Sequence, residues 1–350
     1  MTAAVCGGQE LTAEFLTRAL ASHLGGTAVA AVDAAPVGTG QVSDSYRLSI
    51  TYDGPADLPP TIIAKVPAAD AASRNAARAF RTYEIEASFY SQLAPGLPVA
   101  LARCYYAAYD RDPDEYVVLL EDLAPALPGD QLAGLHPDAA AAAIRELAAL
   151  HAAGWDSTEL AALPWLNRSG PAAAALLADV LTDLYPGFCE RFASRLEPGT
   201  LSLIEDFLAK VPSYLAASDE PRTIVHGDFR ADNLLFGPTR PVVLDWQTAG
   251  FGAGTADLSY FLASSLPVAA RRQYEETLVR RYHAMLTSRG AVLSWHDCWT
   301  GYRRHAFSGI VMDIIAAMMV QQTERGDAMF AAMARRHARH ALDLDALALL

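Results

Sequence analysis

Apolar and polar positions follow two different periods along this chain, and the change of period divides it. Before residue 125, short runs rich in β-branched and aromatic residues recur, and 29–37, 45–52, 61–66, 104–110 and 116–120 read as five strands. Residues 11–23 carry helical spacing and meet a stop at Gly25-Gly26, and 73–93 carry it again. The Pro/Gly cluster at 125–129 closes this region. Beyond it the period is helical: 139–152, with Ile144, Leu147 and Leu150 on one face, then 171–184, 200–215, 269–289, 295–324 and 325–347. Three strand-like runs, 223–225, 234–236 and 241–244, interrupt the helices. The pattern predicts an α+β chain in two parts. An N-terminal lobe over 1–124 is built on an antiparallel sheet with a helix, and a mainly helical C-terminal lobe covers 125–350.

The chemistry concentrates where the late strand-like runs meet. They enclose His226, Asp228 and Asn233, and the third run ends directly on Asp245. Buried strands deliver such loop residues rigidly to one place. A carboxylate, an amide five positions later and a second carboxylate after the next strand suit phosphoryl transfer. Asp228 can accept the proton of an attacking hydroxyl, while Asn233 and Asp245 offer hard oxygen ligands to Mg²⁺. A lone Asp or Asn in a turn is usually there for turn chemistry. A metallophosphatase would need further His and Asp clusters at strand ends, and the sequence has none.

The segment Ile-Val-His-Gly-Asp-Phe-Arg-Ala-Asp-Asn-Leu-Leu-Phe over 224–236 resembles the catalytic loop of the aminoglycoside phosphotransferase and choline-kinase-like superfamily. Its ecdysteroid-kinase-like branch is the nearest in wording. The resemblance implies a protein-kinase-like bilobal fold, with His-Gly-Asp for His-Arg-Asp and Asp245-Trp246-Gln247 for Asp-Phe-Gly. It also implies ATP and Mg²⁺ as cofactors, with nucleotide-site pieces in kinase order. Gly38 and Gly40 stand between two strands, where glycine lets the backbone approach phosphate oxygens. The residues after them are extended, unlike the helix-opening fingerprint of dinucleotide folds. Lys65, in Ile62-Ile63-Ala64-Lys65, resembles the third-strand lysine that binds phosphates. An edge-strand lysine facing solvent would look the same. Glu86 opens a stretch similar to the family's Glu-x-x-Phe-Tyr and is the expected partner of Lys65. Glu84 lies on another helix face and reads as a solvated acid. Residues 119–124 resemble the hinge, whose backbone would bond the adenine edge at Glu121 and Leu123. In 250–261 the resemblance makes Asp257 a brace for the loop, with Thr255 as a helix N-cap. His226 is then a scaffold residue, and His151 a packing one.

Composition narrows the partners. With 52% hydrophobic and 19% charged residues the chain reads as globular. Its 40 acidic and 27 basic residues, net −13, disfavour nucleic acid or an anionic membrane. Cys6, Cys104, Cys189 and Cys298 are scattered without a Cys-x-x-Cys pair, which fits reduced thiols in a cytoplasmic protein. The first ten residues lack a basic region followed by an apolar core. No run reaches the ~18 apolar residues that span a bilayer.

Nothing after Asp245 resembles an activation segment or an Ala-Pro-Glu anchor, so the expected acceptor is a small-molecule hydroxyl and no protein partner is implied. Phe307, Ile310, Val311, Ile314 and Ile315 form an apolar face read as core. Arg335, Arg336, His337, Arg339 and His340 read as a solvated basic face, whose histidines lack the carboxylate a metal site needs. Arg303, Arg304, Arg325, Arg335 and Arg336 lean the acceptor toward a neutral or apolar alcohol, such as a steroid-like, terpenoid or polyketide hydroxyl. Aminoglycoside or macrolide phosphorylation is the alternative. A catalytically silent nucleotide-binding module would be marked by loss of Lys65, Asp228, Asn233 or Asp245, and all four are present.

Overall fold

The computed structural model describes residues 7–38, 42–112, 114–216 and 219–350. The chain forms two compact units. One comprises Met1–Leu97, Leu101–Ala126 and Asp245–Thr248; the other comprises Pro98–Ala100, Leu127–Leu244 and Ala249–Leu350.

In the first unit, β1 (Val29–Pro36), β2 (Ser43–Tyr52), β3 (Thr61–Pro67), β4 (Cys104–Asp110) and β5 (Glu115–Glu121) form an antiparallel sheet in the order β1-β2-β3-β5-β4. The two-residue period of β3 sends Ile62, Ala64 and Val66 into the core with Phe15 and Leu16 of α1 (Ala13–Ala19), and Lys65 to the opposite face. The Thr12 hydroxyl caps α1, and α2 (Ala21–Leu24) ends on Gly25 in the left-handed region, as the glycine pair predicts. The helix expected over 73–93 is broken. α3 (Ala71–Phe80), capped by Asp70, ends at Arg81 with φ 59°, and α4 (Thr82–Ser88) leaves in a new direction before a π turn at Phe89–Leu93. Packing decides this. α3 buries only Ser73 and Ala77, whereas α4 buries five residues and stacks Tyr83 on Tyr116 of β5 at 4.7 Å. Arg81 steadies its own turn through two 2.8 Å bonds to Glu84.

The second unit holds the strands β6 (Leu127–Pro128), β7 (Arg222–Val225), β8 (Leu234–Phe236), β9 (Val242–Val243) and β10 (Gly250–Ala253), paired as β6-β8-β9 and β7-β10. Its helices are α5 (Pro137–Ala153), α6 (Thr158–Ala161), α7 (Pro171–Phe192), α8 (Thr200–Leu208), α9 (Val211–Leu215), α10 (Gly254–Ser265), α11 (Val268–Thr287), α12 (Trp295–Arg304), α13 (Ser308–Met319) and α14 (Glu324–Asp343).

Several helices differ from the periodicity. The helix expected over 200–215 splits, because Pro212 lacks an N–H and starts a new helix in its first turn. α7 runs through Pro186 to Phe192, beyond the expected end. By length and composition, Pro171–Arg195 is apolar enough to cross a membrane, with a mean hydropathy of 1.3, although Asp179 and Asp183 lie within it. Together with Glu190 and Arg191 these acids interrupt it, so no unbroken apolar run marks it in the sequence. Thr255 is not the N-cap of α10. β10 pairs with β7 as far as Ala253↔Arg222 and runs straight into the helix, which places Ala253 at the cap.

The largest correction concerns α14. His337 and His340 are fully buried, and each has an acidic partner: Asp313 for His337, Glu275 for His340. The face read as solvated is therefore core at both histidines. Arg303, Arg304 and Arg336 donate to backbone carbonyls, at Leu344, Ser213, Tyr214, Gln131 and Ser264 among others. Their charge thus serves backbone carbonyls, several of them at helix ends, and says nothing about an acceptor.

Candidate active site

In the first unit, the strand period that turns Lys65 away from the core brings it to two acids. Its Nζ donates to Glu86 Oε1 at 2.5 Å and to Asp245 Oδ1 at 2.8 Å. Glu86 is 1% exposed, and Tyr116 of β5 donates to its other oxygen. Burial works to lower the Lys65 ammonium, but Asp245 and Glu86 outweigh it and hold the group above the ordinary lysine range. Lys65 is therefore a fixed cation. Asp245 has φ 64°, a left-handed conformation that few non-glycine residues adopt. Its segment is anchored by the next residue, for Trp246 stacks on Phe89 at 3.9 Å with planes 6° apart. Gly38 is also left-handed, with φ 77° and open space where a Cβ would stand; Gly40 lies outside the described residues. At the hinge, the Glu121 N–H donates to the Arg103 carbonyl at 2.8 Å, and the Leu123 carbonyl accepts from Ala126 N–H at 2.9 Å.

In the second unit, β7 delivers His226 and Gly227, the latter at φ 81°. His226 Nε2 donates to the Leu244 carbonyl at 2.8 Å, and its Nδ1 accepts the Asp228 N–H at 3.2 Å. Both ring nitrogens serve the loop's own shape, the scaffold role expected of this residue. The Asn233 amide donates to the Asp228 carbonyl at 2.8 Å and to Asp228 Oδ2 at 2.9 Å. That leaves the Asn233 Oδ1 as a hard oxygen donor of the kind Mg²⁺ takes.

Two residues that sequence reasoning passed over complete this half. Arg230 Nε lies 3.1 Å from both oxygens of Asp228, and its Nη1 is 3.1 Å from Asp232. Burial disfavours the Arg230 cation, yet Asp228 outweighs it and raises the guanidinium further. Tyr260 of α10 donates to Asp228 Oδ1 at 2.6 Å. Arg230 carried a signal, being two positions from Asp228 inside the loop; Tyr260, on a helix thirty-two positions away, carried none. A half-open cavity of about 170 Å³ adjoins Tyr260, lined also by Val225, Gly252, Ala253, Ala256 and Ser308. Among the described residues, no three His, Cys, Asp or Glu side chains converge as a metal cluster.

The sequence pattern of the ecdysteroid kinase-like family matches residues 38–294. A choline kinase from Cryptosporidium parvum superposes with a TM-score of 0.55 at 9% identity, over 90% of this chain and 89% of its own. APH(2'')-IIa in its ternary complex with streptomycin and ATP gives 0.51 at 14% identity, over 87% and 91%. At these identities the likeness is one of fold. A stretch of 80 residues is 36% identical to acyl-CoA dehydrogenase family member 10 of Mus musculus, covering 21% of this chain but only 7% of that relative's length. The matched span takes in the lysine–glutamate pair and the His-Gly-Asp loop and covers most of the chain, which therefore belongs to the ecdysteroid kinase-like family.

Proposed function

We propose that the protein transfers the γ-phosphoryl group of ATP to a hydroxyl of a small, neutral or apolar alcohol, with Mg²⁺ as the metal. The observation that carries this reading is the holding of Asp228, whose carboxylate is gripped by Arg230, Tyr260 and Asn233 yet stays 16% exposed. A carboxylate fixed by donors but reachable from solvent is suited to take the proton of an incoming hydroxyl. As it does so, the hydroxyl oxygen bonds to the γ-phosphorus and the bond to the ADP oxygen breaks. In such loose transition states most of the acceleration comes from placement and charge neutralisation.

The remaining roles rest on donor chemistry. Lys65, held charged by its acids, is a partner for phosphate oxygens, and Glu86 fixes where its ammonium points. The Asn233 Oδ1 and the Asp245 carboxylate are each hard oxygens of the kind that would hold Mg²⁺. The metal would neutralise charge on the nucleotide. Gly38 and Gly40 would let backbone N–H groups approach phosphate, and the backbone at Glu121 and Leu123 would meet the adenine edge. ATP as the donor is supported by the ATP complex of APH(2'')-IIa, whose fold is shared. The neutral alcohol is supported by the cavity beside Tyr260. Most of its walls are small and apolar, and the one carboxylate among them, Asp257, has both oxygens occupied by backbone N–H groups. A polycationic acceptor would need unpaired carboxylates there.

An ATP-consumption screen over sterols, terpenoids, polyols, aminoglycosides and macrolides tests the reading, alongside Asp228→Asn. That variant should lose about 10³-fold in turnover while keeping its affinity for Mg-ATP. Equal loss of nucleotide binding would sink the assignment of Asp228 as base. Binding of Mg-ATP with no phosphate transfer to any alcohol would instead reveal a nucleotide-binding module.

A further inference from the structure

We infer that Tyr260 is a positioning residue for Asp228, and that the buried pair Asp313–His337 holds the Tyr260 ring in place. The inference rests on the reading of Asp228 as the proton acceptor.

Tyr260, on α10, is 3% exposed, and its hydroxyl donates to Asp228 Oδ1 at 2.6 Å. Burial and the adjacent Asp228 carboxylate push this phenol well above its ordinary range, so it stays a donor at any working pH. Behind it, the His337 imidazole of α14 stacks on the phenol ring, with centroids 5.3 Å apart and planes 22° from parallel. His337 is oriented in turn by α13, through a 2.6 Å bond between Nδ1 and Asp313 Oδ2. α13 also closes the other side of the imidazole. A Cβ at Gly309 would lie 2.3 Å from the His337 ring, so the ring rests directly on helix backbone. Three helices thus form one stack that ends on a single oxygen of Asp228. Arg230 of the loop also reaches that oxygen, Asn233 reaches Oδ2, and Asp232 pairs with Arg230.

The stack does not read as optimised for stability. His337 Nε2 and Asp313 Oδ1 are buried without a hydrogen-bond partner, and an apolar pair of the same volume would leave neither unmet. What the polar pair supplies is direction, since a hydrogen bond fixes ring rotation where apolar contact does not. Arg230 straddles both Asp228 oxygens and does not distinguish them, so the rotation of the carboxylate is set by the two single-oxygen bonds, Tyr260 at Oδ1 and Asn233 at Oδ2. Asp313 and His337 lie beyond the residues matched by the family pattern, so this support comes from the C-terminal helices of this chain.

The test compares full-length wild type, Tyr260→Phe, Asp228→Asn and their double variant. ADP formation is measured with Mg-ATP and water as acceptor, and again with any alcohol that the wild type consumes. Tyr260→Phe keeps the ring stack and removes only the hydroxyl. It should lower kcat by about 10–100-fold at an unchanged KM for ATP, because misplacing a reacting group by a fraction of an ångström costs on that scale. In the Asp228→Asn background the same substitution should cost nothing further, as expected of residues acting as a unit. Gly309→Ala, which presses on His337 without touching the loop, should lower kcat in the same sense. A Tyr260→Phe enzyme within about twofold of wild type, or one losing the same factor in both backgrounds, overturns the inference. A wild type that consumes no ATP with water or any alcohol overturns the functional reading, and this one with it.

Discussion

The carboxylate of Asp257 receives the two N–H groups that open the 226–236 loop, with Oδ2 accepting from His226 at 2.6 Å and Oδ1 from Gly227 at 3.0 Å. His151 Nε2 lies 3.4 Å from the same Oδ2, and Tyr282 bonds the far side of that imidazole at 2.7 Å. A first-turn acid of α10 thereby ties the loop to α5 and α11. Asp228 is two residues from one of the anchored N–H groups, so its position depends on a carboxylate about thirty residues downstream.

Asp257→Ala should be costly. It leaves a buried and a half-buried N–H donor unmet, and about 3 kcal/mol of stability should be lost, read as a lower urea midpoint at neutral pH. Asp257→Asn retains an acceptor oxygen and should lose less. An alanine variant with the wild-type midpoint would show that the anchor is dispensable.

The same residue sets a pH dependence. Burial alone would raise the Asp257 carboxyl, but His151 and the His226 N–H outweigh it and hold the group below the ordinary carboxylate range. A depressed native pKa stabilises the fold above the unfolded value of about 3.9, and that contribution is lost as pH falls through the native value. The stability gap between wild type and Asp257→Asn should therefore be constant near neutrality and shrink below about pH 4. A gap of equal size on both sides of that pH would contradict the assignment.

Lys65→Met tests the cation in the first unit. It strands the Glu86 carboxylate, which is 1% exposed, and should destabilise by about 3 kcal/mol. Adding Glu86→Gln should recover a substantial part of the thermal midpoint, because the uncompensated charge goes with it. Nucleotide-dependent turnover should be lost in both variants. Equal midpoints for the single and double variants would mean that Glu86 does not depend on Lys65.

Asp245 separates backbone cost from chemistry. At φ 64° an alanine is strained where glycine is not. Asp245→Gly should therefore be more stable than Asp245→Ala by about 1 kcal/mol in thermal unfolding. Both should lose Mg²⁺-dependent nucleotide binding, measured by calorimetry with and without the metal. An alanine variant equal to glycine in stability would argue that the segment relaxes out of the left-handed region.

The strands were legible because β periodicity is local. The β3 pattern alone puts Lys65 opposite Ile62, Ala64 and Val66, and no knowledge of its neighbours is needed to separate the two faces. Helical spacing put Glu84 and Glu86 on different faces, and the resemblance of 86–90 to Glu-x-x-Phe-Tyr chose Glu86. The break at Arg81 was not legible. The periodicity of 73–93 is that of one helix, and only the burial of α4 against the sheet, with Tyr83 on Tyr116, favours a left-handed residue there. The arginines of the C-terminal helices misled because a long side chain can cross to a carbonyl on another element, as Arg336 does to Gln131 and Ser264.

The identity of the chemical groups belonged to the sequence: Asp228, Asn233 and Asp245 are named by spacing against strands a few residues long, and Lys65 by its resemblance to the third-strand lysine of kinases. Their partners belonged to the tertiary structure. His337 looked like one more basic residue beside Arg335 and Arg336, and only the packing of α13 and α14 gives it Asp313 on one side and Tyr260 on the other. A turn or a strand is decided by interactions within a few positions. A buried imidazole is decided by whichever carboxylate the fold brings to within 2.6 Å, here from twenty-four positions away.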